Sequence, residues 1–221
     1  LRNDPGGLLE SAIDVADNLL SKNAMVVSIA GRQQEMNREF RTTGKGLYLD
    51  NQIIVLLNEG SASASEILAG AIKDNKRGLL LGVKSYGKGS VQTLLPLPDG
   101  SGIALTTAKY FTPSGVCIHG KGIVPDVIVE MPKITPKDQE MWLKLEDSPY
   151  LKEFAKGHSV YTDKDIENLQ GSLAKNGIEL SEMIVRRAAN IEISRLNVDK
   201  EIVYDLKCDP QLQHAVDILI A

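Results

Sequence analysis

Between residues 52 and 83 the chain alternates an apolar run, a turn, a stretch of helix formers and a second apolar run, and this segment constrains the fold more than any other. Residues 52–57 (QIIVLL) are short and rich in β-branched side chains. Asn58-Glu59-Gly60 ends them, a Ser/Ala-rich helix follows, and residues 78–83 (GLLLGV) form the next run. Runs of this length, bounded by Gly and Asn, suit buried strands. With a later hairpin, the β, α, β order predicts an α/β sandwich. It also places Ser61, Ser63 and Ser65 at a sharp strand-to-helix junction. A hydroxyl there is exposed. The first-turn N–H groups of the helix lack partners within it, and they point toward any oxyanion that forms beside Ser63. That is half of an acyl-transfer site.

The other half is Lys88, 25 positions beyond Ser63, after the second run and a glycine-flanked turn. Two adjacent strands bring the pair together. To act as a general base the ammonium must lose its proton. Moving a lysine from about 10.4 toward ~7–8 costs roughly 3–4 kcal/mol, which burial in an apolar site supplies. Gly87 and Gly89 carry no side chain, so backbone packs close around the amine and excludes water. If residues 88–92 are extended, Lys88, Ser90 and Gln92 share one face by the period of two, and the Gln92 amide is placed to orient the lysine.

The block NEGSASASEILAGAIKDNKRG…GVKSYGKGSVQ resembles the active-site region of the carboxyl-terminal processing peptidases, tail-specific serine proteases that use a Ser/Lys dyad. The resemblance covers residues 1 to about 130 and includes LRNDPGGLLESAIDVADNLL at the start, YFTPSG at Tyr110–Gly115 and GKGIVPDV at Gly120–Val127. Four motifs in the expected order make it specific. It implies a crotonase-like (ClpP/crotonase-type) protease core over residues 1–132 and a mainly helical extension over 133–221, available for interaction with an adaptor or for a homo-oligomer contact. By matching position, Ser63 is the implied nucleophile, Lys88 the base and Gln92 the lysine's partner. The N–H of Ala64 and one from Gly6 or Gly7 are the implied oxyanion donors. The resemblance further implies protein substrates recognised near their C-termini, outside the cytoplasm, with no cofactor. Val116-Cys117 departs from it, since the family usually has an arginine and a serine there, which bears on local contacts and not on the dyad. The match starts in mid-motif. An N-terminal portion with an export signal and a peptide-binding PDZ domain is therefore expected to belong with this chain, and residues 1–221 alone are expected to be weakly active or inactive.

Plainer readings stand beside these. Ser63-Ala64-Ser65-Glu66 is also an S-x-x-E capping box, in which Ser63 satisfies an N–H while Glu66 reaches back. Gly-Lys-Gly occurs at Lys45, Lys88 and Lys121, and only the flanking motif selects Lys88. Asp74, 11 residues beyond Ser63, lies near the same helix face, but at roughly 16 Å along the axis it is out of hydrogen-bond reach; it reads as a tie from the helix end to neighbouring backbone. Gly82 to Gly89 begins like a phosphate-binding P-loop yet lacks the Ser or Thr that must follow the lysine. His119 is the alternative base, and His158 and His214 fall in the helical tail. Cys117 and Cys208 have no metal-ligand spacing and form no disulfide framework; free thiols and a single bridge are both open. A non-catalytic binding module on the same fold is the alternative function, and an acyl-CoA enzyme of the wider crotonase-like group is a weaker one.

A net charge of −4 gives no basic footprint for nucleic acid, and no segment reaches the ~18 apolar residues of a membrane span. Residues 8–20 place Leu8, Leu9, Ala12, Val15, Ala16 and Leu19 on one helical face. Residues 25–30 form a buried strand, residues 32–45 a solvated loop or hairpin, and residues 91–97 and 103–110 flank the Pro98-Asp99-Gly100-Ser101-Gly102 turn. Beyond about Ile134 the sequence turns charged and helix-forming. Ser148-Pro149 and Asp209-Pro210 each read as an N-cap followed by proline at the first helical position. The last helix carries Leu212, Ala215, Val216 and Leu219 on one face, and residues 180–196 carry Met183, Ile184, Ala188, Ile191 and Leu196. Each face packs on the core or meets another subunit.

Overall fold

The computed structural model describes residues 1–32, 34–196 and 205–221. They divide into a first unit, Leu1–Glu130 with Ile218–Ala221, and a second, Met131–Asp217. In the first, α1 (Leu9–Leu19) precedes the hairpin of β1 (Met25–Gly31) and β2 (Arg38–Arg41). Then come β3 (Ile54–Leu57), α2 (Ala64–Asp74), β4 (Leu79–Gly82), the hairpin of β5 (Ser90–Pro96) and β6 (Gly102–Phe111), and the two-residue β7 (Val127–Ile128). The class is mixed α/β, as expected. One sheet is antiparallel, in the order β2-β1-β6-β5, and the other is parallel, β3-β4-β7. β3 and β4 pair in register from Ile54↔Leu79 to Leu57↔Gly82. The segments that carry Ser63 and Lys88 therefore leave the same end of one parallel sheet.

α2 is buried from Ala64 to Ile72. A helix that is small or apolar on every side packs on more than one face, and Ile67, Ala69 and Ile72 join Val26, Leu57 and Leu80 in the core. α1 forms where expected, but its apolar face is only partly core. Ala12 and Ala16 are buried, whereas Leu8 and Val15 are 70% and 46% exposed. The described residues of the 32–45 segment adopt the hairpin alternative, closed by the buried Asp17 of α1, which accepts from Thr43 N–H and Oγ1 at 2.6 Å each and from Gly44 N–H at 2.9 Å. β7 gave no sequence signal. It is held by backbone bonds to β4 from both sides, Asp126 N–H to Leu80 O and Val129 N–H to Gly82 O.

The second unit is helical among its described residues: α3 (Pro136–Glu146), α4 (Tyr150–Gly157), α5 (Asp163–Lys175), α6 (Glu182–Leu196), and α7 (Pro210–Ile220), which starts there. Leu145, Ile166, Leu173, Val185 and Ala189 centre its core. Thr135 and Thr162 close capping boxes with Asp138 and Asp165. Asp209 caps α7, accepting from Leu212 N–H at 3.0 Å ahead of Pro210. The Ser148-Pro149 reading is corrected. Pro149 is itself the N-cap residue, and α4 starts at Tyr150 because Ser148 faces backwards, its hydroxyl donating to Leu145 O at 2.6 Å. Of the faces left open by the sequence, Ile184, Ala188 and Ala215 are buried, while Ile191, Leu196 and Leu219 are exposed.

Candidate active site

Ser63 ends the turn after β3 and sits at the N-cap of α2 with φ 57° and ψ −118°. A non-glycine residue in that region costs about 1–3 kcal/mol and persists only where its surroundings enforce it. Two groups enforce it here. Glu66 reaches back to accept from Ser63 N–H at 2.9 Å, and Gly6 presses on the other side. A Cβ on Gly6 would stand 2.5 Å from Ala62 O and 2.6 Å from Ala64 N, and its φ of +85° suits glycine alone. Ser63 and Glu66 are thus in capping-box register, but only the acid's half is a full bond, because Ser63 Oγ makes no side-chain cap hydrogen bond. The hydroxyl is left for another task.

The turn 1–7 is fastened to this elbow. Ala62 N–H donates to Asp4 O at 3.0 Å, Ser61 Oγ donates to Leu1 O at 2.8 Å, and Asn3 and Asn58 exchange bonds of 2.8 Å. Gly6 N–H is already taken by Asp4 Oδ1 at 2.9 Å. The Ser65 hydroxyl and this N–H hold the Asp4 carboxyl below its ordinary range. Gly7 has open space where a Cβ would go. The two glycines, equivalent in sequence, therefore differ: Gly6 packs and Gly7 faces open space.

The lysine segment joins the serine segment through one side chain that sequence reasoning read only as a cap. Glu66 is fully buried and its carboxylate accepts four hydrogen bonds. Oε1 takes Ser85 Oγ–H at 2.5 Å and Gly87 N–H at 2.7 Å; Oε2 takes Ser63 N–H at 2.9 Å and Lys88 N–H at 2.8 Å. The backbone nitrogens of Ser63 and Lys88 share an oxygen, so they are no farther apart than those two bonds laid end to end. The available signal was the three-residue spacing from Ser63, which gives an acid on the first turn two directions to reach.

Behind Lys88 the segment is zipped to residues 118–123. Ser85 Oγ accepts from Ile123 N–H at 2.7 Å, Gly120 N–H donates to Gly87 O at 2.9 Å, and a Cβ on Gly89 would lie 2.4 Å from His119 N. The glycines thus serve close backbone packing, as expected. The expected burial of the amine is not found: Lys88 is exposed. Neither its Nζ nor the exposed Gln92 amide has a hydrogen-bond partner among the described residues. β5 begins at Ser90, so Lys88 precedes the strand, and the β5–β6 register shifts between Val91 and Gln92. The shared face of Lys88, Ser90 and Gln92 is therefore not given by strand alternation.

The remaining candidates fall elsewhere. Asp74 Oδ2 accepts from Ser114 N–H at 2.9 Å, tying the end of α2 to the TPSG turn. Lys45 pairs with Asp14 of α1 at 3.2 Å, and Lys121 and His119 are exposed. Cys117 and Cys208 are free thiols, and burial, with Asp205 and Asp209 nearby, pushes Cys208 up to about 11. Among the described residues no group of His, Cys, Asp and Glu could hold a metal, and no helix is long and apolar enough to cross a membrane.

Residues 1–129 match the model of peptidase family S41. A carboxy-terminal-processing protease of Bartonella bacilliformis is 51% identical over 132 residues, covering 60% of this chain and 30% of its own length. A probable CtpA-like serine protease of Staphylococcus aureus is 38% identical over 183 residues, 81% of this chain and 34% of the relative. Among solved structures, a photosystem II D1 C-terminal processing protease superposes with a TM-score of 0.55 at 43% identity, over 63% of this chain and 35% of that one. The chain thus spans well under half the length of the relatives it matches.

Proposed function

Because the chain belongs to peptidase family S41, we propose that it carries the catalytic residues of a serine endopeptidase, with Ser63 as nucleophile and Lys88 as general base. The observation that carries this reading is the Glu66 carboxylate, which fastens the backbones of Ser63 and Lys88 to one oxygen. A structural cap needs only the first of those bonds. Ser63 Oγ attacks the scissile carbonyl, and Lys88 Nζ takes its proton and returns it to the leaving amine. The oxyanion falls to Ala64 N–H and to Gly7 N–H, because Gly6 N–H is already engaged with Asp4. Water then hydrolyses the acyl-enzyme. Gln92 is the candidate to orient the lysine.

An exposed amine is hydrated, so a general base at this position works only once water is excluded from it. We assign that step to the arrival of the polypeptide substrate, which makes Lys88 the switch of the site while Ser63 is held ready. The substrates are proteins recognised near their C-termini outside the cytoplasm, and the helical unit is the place for an adaptor or oligomer contact. The exposure of Lys88 also favours a second reading, a non-catalytic binding module on the same fold.

Cleavage of an unfolded protein by the full-length protein decides between them, with wild type set against Ser63→Ala, Lys88→Ala, Lys45→Ala and Lys121→Ala. Loss confined to the Ser63 and Lys88 variants, with folding retained, supports the dyad. Full activity in Lys88→Ala moves the base to His119. No cleavage by wild type leaves the binding module.

A further inference from the structure

The helical unit holds a cavity of about 400 Å³ that the chemistry of Ser63 and Lys88 does not use. It lies wholly within Met131–Asp217, between one face of α3, with Trp142 and Leu143, and one face of α6, with Met183, Ile184 and Ile191. Ile184 and Cys208 are buried and floor it, whereas Leu143 and Ile191 are 62% and 38% exposed. Its volume is that of a small-molecule site. Besides the Cys208 thiol, which donates to Asp205 O at 3.1 Å, three polar side chains line it: Asp138, Gln139 and Arg187. Asp138 Oδ2 is engaged, accepting from Thr135 N–H at 2.9 Å and from Thr135 Oγ1–H at 2.7 Å. The exposed Arg187 guanidinium has no hydrogen-bond or ion-pair partner among the described residues, although the adjacent Arg186 holds three carboxylates.

We propose that this cavity binds a free medium-chain fatty acid, with the aliphatic chain between α3 and α6 and the carboxylate on Arg187. Charge is the first reason. Arg187 is the one cation on the lining, it is unpaired, and a guanidinium presents a planar fork that meets a carboxylate with two parallel hydrogen bonds. The scarcity of other polar groups is the second. A peptide segment would carry N–H and C=O groups into the cavity, each costly to bury without a partner, and Gln139 is the only amide side chain there to receive them. A fatty acid brings a single polar group, at the end where the free cation stands. A cationic amphiphile would have to use Asp138, whose carboxylate already serves the cap of α3. The site does not depend on the roles of Ser63 and Lys88, and it gives the helical unit a ligand of its own.

The test titrates the full-length protein with dodecanoate, below the concentration at which it forms micelles. Calorimetry gives Kd, and the emission of Trp142, the single tryptophan of the sequence, says where binding occurs, with Trp142→Phe as the blank. Dodecanoate is expected to bind saturably at one site and to change that emission. Octanoate should bind at least about 10-fold more weakly, since each methylene withdrawn from water is worth about fourfold in Kd. Arg187→Gln, at an exposed position, should weaken dodecanoate about fivefold or more and leave dodecanol within about twofold. Leu143→Asp, on the exposed part of the wall, should weaken both. No saturable binding, equal affinity of dodecanoate for Arg187→Gln and wild type, dodecyltrimethylammonium binding as tightly as dodecanoate, or an emission change undiminished in Trp142→Phe would each overturn the proposal. Cosedimentation with phosphatidylglycerol vesicles that Leu143→Asp abolishes, in a protein that does not bind dodecanoate, makes a membrane lipid the occupant and overturns it as well.

Discussion

Each unit of the chain buries a charged side chain among several hydrogen-bond partners, Glu66 in the first and Arg186 in the second, and the two sites are built differently. Glu66, fully buried in the first unit, accepts from one hydroxyl and three backbone N–H groups. Arg186, 3% exposed in the second, pairs with Asp163 at 2.5 Å, Glu182 at 2.7 Å and Asp205 at 3.0 Å. Burial works against the guanidinium's charge, and the bonds to Asp163, Asp205 and Glu182 more than offset it, so its pKa lies above the ordinary value. Arg186 joins side chains of α5 and α6 with Asp205, which also accepts from Tyr161 O–H at 2.9 Å. Side-chain partners can move together, so such a cluster fixes which elements are neighbours. Backbone partners fix where a loop lies. Glu66 accordingly sets the position of Ser63 and Lys88, while Arg186 staples helices.

If that contrast holds, Glu66→Gln should have the largest effect of any substitution outside the reacting groups. One carboxylate oxygen becomes an NH₂ facing two N–H or O–H donors, each of which costs about 1–3 kcal/mol when left buried without an acceptor. Proteolysis by the full-length protein should fall about 100-fold or more, since a misplacement near 1 Å is enough for that. The unfolding midpoint in urea should fall as well. Activity that survives while stability drops would reduce Glu66 to a structural buried acid and erase the distinction.

Arg186→Met should do the reverse. Removing one partner of a buried ion cluster costs about 3–5 kcal/mol, so thermal unfolding of the helical unit should move to clearly lower temperature. The activity per folded molecule should stay within about twofold, because the carboxylates that Arg186 pairs with, Asp163, Glu182 and Asp205, all belong to the helical unit. A large loss of activity at a temperature where the variant is folded would mean that the helical unit works on the site.

These two residues also mark how far the sequence could be read. The strand, elbow and helix of residues 52–74 were legible because apolar period, turn residues and small side chains agree there, and the junction offered Ser61, Ser63 and Ser65, among which the family resemblance singled out Ser63. Asp74 and Asp209 were legible for the same reason, since a helix end has few ways to satisfy its backbone. Glu66 was visible only as a cap. Its other three donors, from Ser85, Gly87 and Lys88, are 19, 21 and 22 residues away, and nothing local in the sequence says that a first-turn acid reaches them. The difference between Gly6 and Gly7 was hidden likewise, because it depends on an aspartate two residues back claiming one N–H. The exposure of Lys88 and of Val15 went against expectation for a common reason. Pattern tells which residues could be buried, and tertiary packing decides which of them are.

A smaller effect is expected from Ser85→Ala, which deletes a single donor to Glu66 and leaves Ile123 N–H without its acceptor. The carboxylate keeps its three backbone donors, so Ser63 and Lys88 remain placed. A loss of about 1–3 kcal/mol is expected from the stranded N–H, with kcat reduced by no more than about 10-fold, a barrier change of about 1.4 kcal/mol. Chemical denaturation and single-turnover cleavage separate the two. If Ser85→Ala equals Glu66→Gln in kcat, the hydroxyl and not the backbone bonds holds the lysine segment, and the proposed division between side-chain and backbone partners fails at its centre.

The same division predicts the least effect, and a particular pH dependence, at Asp17. Like Glu66 it is a buried acid with backbone donors, but it closes the hairpin onto α1 far from Ser63 in the chain. The Thr43 hydroxyl, then Gly44 N–H, hold its pKa at about 2, against 3.8 for an ordinary aspartate. A depressed carboxylate contributes stability that is fully present above the unfolded value and lost as pH falls through the folded one. The contribution should therefore be complete at neutral pH and disappear between about pH 4 and pH 2. Asp17→Asn removes the titrating group, so the melting temperature of the variant should start lower at pH 7 and converge on wild type toward pH 2, with cleavage at neutral pH little changed. Two parallel curves across that window would mean that the carboxylate is not held by these donors. A loss of cleavage at pH 7 would mean that the hairpin, too, belongs to the machinery around Ser63.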